Sequence, residues 1–182
     1  MLCVFDSEEV GSNSVQGAAS MLLGDVLERI CQALDLDLKR MLSQSFMVSA
    51  DNAHAVHPNH PEYADAGNAP VMGGGVVLKF NASQRYTTDG VSAAVFRKVC
   101  ADAGVKVQSY CNRADIPGGS TLGHISLTHV SVPTADIGLP QLAMHSCYET
   151  AAVADALALE EAMAAFYGKS LQVSADGEYT LG

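Results

Sequence analysis

The sequence predicts an α/β fold: a mostly parallel sheet flanked by helices. Three observations predict it. Short apolar runs of strand type alternate with segments of ten or more residues whose apolar positions recur at three and four. Hydrophobic residues make up 48% of the chain and charged residues 16%, enough apolar material for a core and too little charge density for disorder. The 182 residues carry no internal repeat and no linker-like stretch, which fits one domain.

Met1 to Phe5 (MLCVF) is an apolar run of strand type, expected to be central. The polar stretch 6–15 (DSEEVGSNSV) reads as a loop. A helix is predicted from about Gln16 to Asp35, with Met21, Leu22, Val26, Leu27, Ile30, Cys31 and Leu34 on one face. A helical turn covers about Asp37 to Leu42, and Ser45 to Ala50 reads as a second strand with Asp51 at its end. Residues 51–70 form a long loop holding three histidines, a length that favours function. Gly73-Gly74-Gly75 leads into a strand over Val76 to Phe80. A helix over Gly90 to Ala103 is closed by Gly104, and Val105 to Tyr110 alternates as a strand. Pro117 to Thr121 is a turn opening a short helix to about Leu127. His129 to Thr134 reads as a strand, Gly138 and Pro140 as breakers, and Tyr148 to Phe166 as the last helix. The tail after Gly168 carries no clear signal.

Composition excludes some function classes. Ten Lys plus Arg against 20 Asp plus Glu give a net charge of −10, which disfavours nucleic acid and anionic membranes as partners. No apolar run approaches the roughly 18–20 residues of a membrane span. Five scattered cysteines without a C-x-x-C pair suggest free thiols in a reducing cytosol, hence a cytoplasmic location.

In an α/β sheet, ligands bind at the carboxyl ends of the strands, where the interesting polar residues fall. Glu8 and Glu9 are adjacent loop acids pointing in different directions, so one suits a metal and the other a base; as a bare pair they also fit a solvated loop. Asp51, His54, His57 and His60 form a D-x-x-H-x-x-H-x-x-H array rich in zinc-type donors, although its prolines preclude one helix carrying them all. His145 sits among small and apolar residues, where a lone histidine also fits a satisfied core position. Lys79 interrupts the apolar run VVLKF and shares a strand face with Val77 and Asn81, either toward a cleft or as an edge charge. No P-loop and no G-x-S-x-G elbow occurs.

Five stretches, DSEEVGSNSVQGA (6–18), SADNAHAVHPNHPEY (49–63), VVLKFNASQRYTTD (76–89), RADIPGGSTLG (113–123) and DIGLPQLAMHSCYE (136–149), resemble the M18 metalloaminopeptidases, the aspartyl aminopeptidases, in order and spacing. The resemblance reaches to about Phe166. It implies a zinc-peptidase catalytic fold of the M18/M20/M28 type, with two zinc ions (cobalt or manganese as substitutes) and metal-activated water attack that releases an N-terminal Asp or Glu. By motif, Glu8 resembles the general base, Glu9 and His145 ligands of one zinc, and Asp51 a ligand of the other. His54, Lys79 and Tyr86 resemble substrate contacts, Lys79 facing the acidic side chain. His57 and His60 receive no ligand role.

In the family a further histidine ligand, a bridging aspartate and an inserted β-rich assembly domain precede the EE segment. Residues 1–182 are therefore read as the carboxy-terminal part of the catalytic domain, expected to be inactive alone and to belong to a homo-oligomer acting on peptides with acidic N-termini. Two alternatives stand beside this: an inactive assembly or binding element of a larger shell, and a metalloaminopeptidase for neutral residues.

Overall fold

The computed structural model describes residues 1–182. Its helices are Leu22–Ala33 (α1), Leu38–Ser43 (α2), Gly90–Asp102 (α3), Leu122–Ser126 (α4) and Val153–Tyr167 (α5). Its strands are Met47–Ala50 (β1), Ala53–His54 (β2), Val76–Phe80 (β3), Val107–Cys111 (β4), Thr134–Gly138 (β5), Pro140–Leu142 (β6), Thr150–Ala151 (β7), Leu171–Val173 (β8) and Tyr179–Leu181 (β9). The main sheet runs β1-β5-β3-β4, with β1–β5 and β3–β4 parallel and β3–β5 antiparallel. Strands β2, β6 and β7 form a small second sheet, and β8–β9 a hairpin.

Strand β3 is central because its residues can be buried on both faces: Val76, Val77 and Leu78 are fully buried. On one face Val76 and Leu78 meet Phe96 and Cys100 of α3 and Ala162 of α5. On the other, Val77 packs with Ala53, Tyr86 and Tyr110. Helix α3 starts at Asp89, whose carboxylate accepts from Ser92 N while Ser92 Oγ accepts from Asp89 N, a reciprocal cap.

Several elements differ from expectation. Met1 to Phe5 joins no strand ladder. Cys3 and Phe5 pack on Leu23, Val130 and Val132, while Leu2 and Val4 face solvent, so the segment keeps its two-residue alternation without a hydrogen-bonding neighbour. Helix α1 begins at Leu22 because Ser20 Oγ donates to Gly17 O and accepts from Leu22 N, holding residues 17–20 in a turn. The strand placed at 129–134 lies instead at 134–138: Val130 N still bonds back to Ser126 O, and the ladder starts only after Pro133. Pro140 opens a strand instead of breaking the chain, and residues 150–151 pair with it before α5 starts.

Candidate active site

The candidate residues lie on the β3 face opposite α3 and α5, around the loop 6–17, the turn that leads from Asp51 into β2 and the loop 143–149. Glu8 and Glu9 sit in a 3₁₀ turn flanked by Ser7 and Ser12, both at φ 62°. Ala143 and His145 also have positive φ, 56° and 66°. Four of the six non-glycine residues in this disfavoured region thus flank or belong to the two loops carrying Glu9 and His145. Glu149 helps hold the second loop, accepting from His145 N at 2.6 Å and from Gln141 Nε2 at 3.4 Å.

These loops bring Glu9 Oε2 to 3.3 Å from His145 Nε2, with both side chains largely exposed. Glu8 is held above its ordinary pKa, first by partial burial and then by repulsion from Asp51 and Glu9, against the pull of His145 and Lys79. Those five groups therefore share one field. His54 lies beside them, its ring 6.4 Å from Tyr110. Desolvation by its surroundings, then the His145 and Lys79 charges, hold its pKa below the usual value.

Lys79 is only 1% exposed. Its ammonium donates to Asp51 O at 2.8 Å and Asn52 O at 3.4 Å, lies 3.9 Å from Asp136 Oδ1, and sits 5.2 Å from the Tyr86 ring centre. Burial raises the Tyr86 pKa. Gly138 makes the Asp51 turn possible, because a Cβ there would stand 1.9 Å from Asp51 O.

His57 and His60 are not drawn into this cluster. Their rings lie 5.3 Å apart, and His60 stacks on Tyr63 and pairs with Glu62 at 3.1 Å. Two contributors escape the sequence reading. Asp136 and Glu149 both lie inside the quoted DIGLPQLAMHSCYE stretch, and an aspartate between apolar residues of a strand was the available signal for the first.

The donor chemistry suits zinc, but the set is incomplete. Glu9 and His145 are adjacent, yet nowhere do three His, Cys, Asp or Glu side chains gather closely enough to hold an ion. A catalytic zinc takes three protein ligands. An apolar cavity of about 500 Å³ lies elsewhere, on the free side of β1, lined by Cys3, Phe5, Leu27, Met47 and Phe166.

The family model described as aminopeptidase I zinc metalloprotease (M18) matches residues 1–167. The chain belongs to the M18 family. A Clostridium novyi (strain NT) relative named "Probable M18 family aminopeptidase 2" is 49% identical over 158 residues, 85% of this chain and 36% of that one. A Ricinus communis relative named "Probable aspartyl aminopeptidase" is 42% identical over 170 residues, 92% and 35% of the two chains. Among solved M18-type structures, the S. cerevesiae mApe1 dodecamer matches with a TM-score of 0.81 at 29% identity, over 90% of this chain and 36% of that one. The chain thus spans little more than a third of the length of the curated M18 relatives it matches.

Proposed function

We propose that these residues are the carboxy-terminal part of the catalytic domain of a zinc-dependent M18 aminopeptidase that releases N-terminal Asp or Glu from peptides. The observation that carries this reading is the approach of Glu9 to His145, 3.3 Å apart, beside Glu8 and Asp51. In this reading Glu9 and His145 serve one zinc and Asp51 a second, with the remaining ligands supplied by M18 sequence outside these residues. Zinc, or cobalt or manganese in its place, supplies Lewis-acid chemistry when bound.

Glu8 is the proton acceptor. Its raised pKa suits a carboxylate that takes a proton and passes it on. His54 and Tyr86 frame the substrate, and Lys79 meets the acidic side chain. A carboxylate entering this buried corner needs a cation, and of the two that act on Glu8, His145 and Lys79, only Lys79 is buried. For this it exchanges carbonyl acceptors for the substrate.

The Ricinus communis relative named "Probable aspartyl aminopeptidase" supports the acidic preference, and the mApe1 dodecamer supports a homo-oligomer. Five free thiols suit a cytoplasmic location, and no helix is long and apolar enough to cross a membrane. The test is hydrolysis of an aspartyl peptide by the M18 subunit that carries these residues. Free aspartate is expected, lost with chelator and with Glu8→Gln. Cleavage that ignores both changes, or none after zinc is supplied, overturns the reading.

A second reading, an assembly or binding element without activity, is favoured by the incomplete donor set and the free β1 edge. A third, a preference for neutral residues, follows if Lys79 keeps its carbonyl partners during turnover. Comparing aspartyl with alanyl peptides decides between it and the first.

A further inference from the structure

Asp136 is fully buried in β5, where a carboxylate is costly unless every bond is made. Its Oδ1 accepts from Ser49 Oγ at 2.9 Å. Its Oδ2 accepts from Thr87 N at 2.9 Å, Thr87 Oγ1 at 3.0 Å and Thr121 Oγ1 at 2.7 Å. Its backbone is fixed as well, with Asp136 N donating to Thr88 Oγ1 at 2.8 Å. Ser49 is in turn held by Gly123 N at 2.9 Å, at a glycine where a Cβ would stand 2.7 Å from Ser49 Cβ. Donors from three separate segments, at Ser49, Thr87 and Thr121, therefore fix one carboxylate.

What that carboxylate faces is Lys79. The antiparallel pairs Val77–Gly138 and Leu78–Ile137, carried one step further, set Lys79 across from Asp136. Lys79 Nζ lies 3.9 Å from Oδ1, with both side chains at most 1% exposed. The ammonium's hydrogen-bond acceptors are two neutral carbonyls, Asp51 O and Asn52 O. Neutral acceptors alone do not balance a buried charge.

We propose that Asp136 is a positioning residue for the site: its carboxylate holds the Lys79 ammonium against the carbonyls of Asp51 and Asn52 until a substrate carboxylate replaces them, and so fixes both the cation and the turn that presents Asp51. Its value to catalysis rests on the proposed roles of Asp51 and Lys79. The geometric claim itself does not need the peptidase to be active.

The test is NMR on the isotope-labelled 182-residue chain. Lys79 ammonium protons are expected to be visible, with a coupling across the hydrogen bond to the Asp51 carbonyl carbon. In Asp136→Asn, which keeps the shape and removes the charge, Lys79 proton exchange is expected to rise about tenfold or more, the loss of its buried counter-charge. The Asp51 and Asn52 carbonyl signals should shift with it, while amide exchange at Phe96 in the core stays unchanged. Unchanged Lys79 exchange, or acceleration equal at Phe96, overturns the proposal. Should Asp136→Asn fail to fold, Thr121→Val removes one bond to Oδ2 and keeps the charge. It is expected to accelerate Lys79 alone and more weakly, and no effect there also overturns the proposal. If Lys79 responds but the M18 subunit releases no aspartate, the functional reading fails and the positioning claim stands.

Discussion

Glu9 Oε2 and His145 Nε2 stand 3.3 Å apart although the chain between them builds the whole main sheet. Two exposed donors at that distance can share an ion, but a third protein ligand is lacking. Zinc added to the 182-residue chain is therefore expected to bind weakly and to perturb the His145 ring signals first. His145→Ala should weaken that binding by about tenfold or more, as loss of a ligand does. Calorimetric titration checks both; tight binding of two ions by the chain alone contradicts the incomplete donor set.

Asp155 is a structural carboxylate. It is 1% exposed in the first turn of α5 and accepts from Gly73 N at 2.7 Å and Gly75 N at 2.8 Å. It thereby ties the glycine loop before β3 to α5. Asp155→Ala leaves the buried Gly75 amide unsatisfied and frees the exposed Gly73 amide, and is expected to cost about 1–3 kcal/mol by denaturant unfolding. Asp155→Asn, which keeps one carbonyl acceptor, should cost less.

The site was legible where local chemistry is concentrated. His145 stands out as an imidazole among small and apolar residues, Asp51 as the acid that ends a strand-type run, and Glu8 and Glu9 only as an adjacent acid pair in a polar stretch. Lys79 was legible as a cation in an apolar strand, and β3 was read with the bounds found. Burial was harder to read. Nothing local says that the Lys79 ammonium is shared between two backbone carbonyls, because that depends on β5 crossing antiparallel to β3. Strand β5 itself was shifted by about four residues: TADIG contains Asp and Gly, poor strand formers, and only the Ser49, Thr87 and Thr121 donors make a buried aspartate tolerable there. The segment 1–5 has strand composition, but strand structure requires a partner and not composition alone.

Gly138 is where β5 passes the Asp51 turn. A methyl group there would stand 1.9 Å from Asp51 O and 2.9 Å from Asn52 Cα, and neither is a flexible side-chain end. Gly138→Ala must therefore push the turn away from β5. The expected cost is about 1–3 kcal/mol, the range for overpacking a close contact. The Asp51 N to Ile137 O bond, 3.0 Å long, should lengthen, and faster amide exchange at Asp51 reports it.

Asp102 offers a pH test remote from the candidate metal ligands. Hydrogen bonds from Lys98, one turn earlier in α3, and from Lys169, 3.2 Å away just past α5, hold its carboxyl below the ordinary aspartate range. A carboxylate depressed in the folded state contributes stability that is fully present above the unfolded pKa, about 3.9. That contribution is lost as pH falls through the lower folded value, so it disappears on the acid side of about pH 4. The group is exposed, so salt should weaken the effect. Carboxyl NMR titration is expected to place Asp102 below the ordinary aspartate value of about 3.9, and Lys169→Met should raise it while leaving the Lys98 contribution. An Asp102 titration that Lys169→Met leaves unmoved removes the α3–α5 tie from the acid stability of this fold.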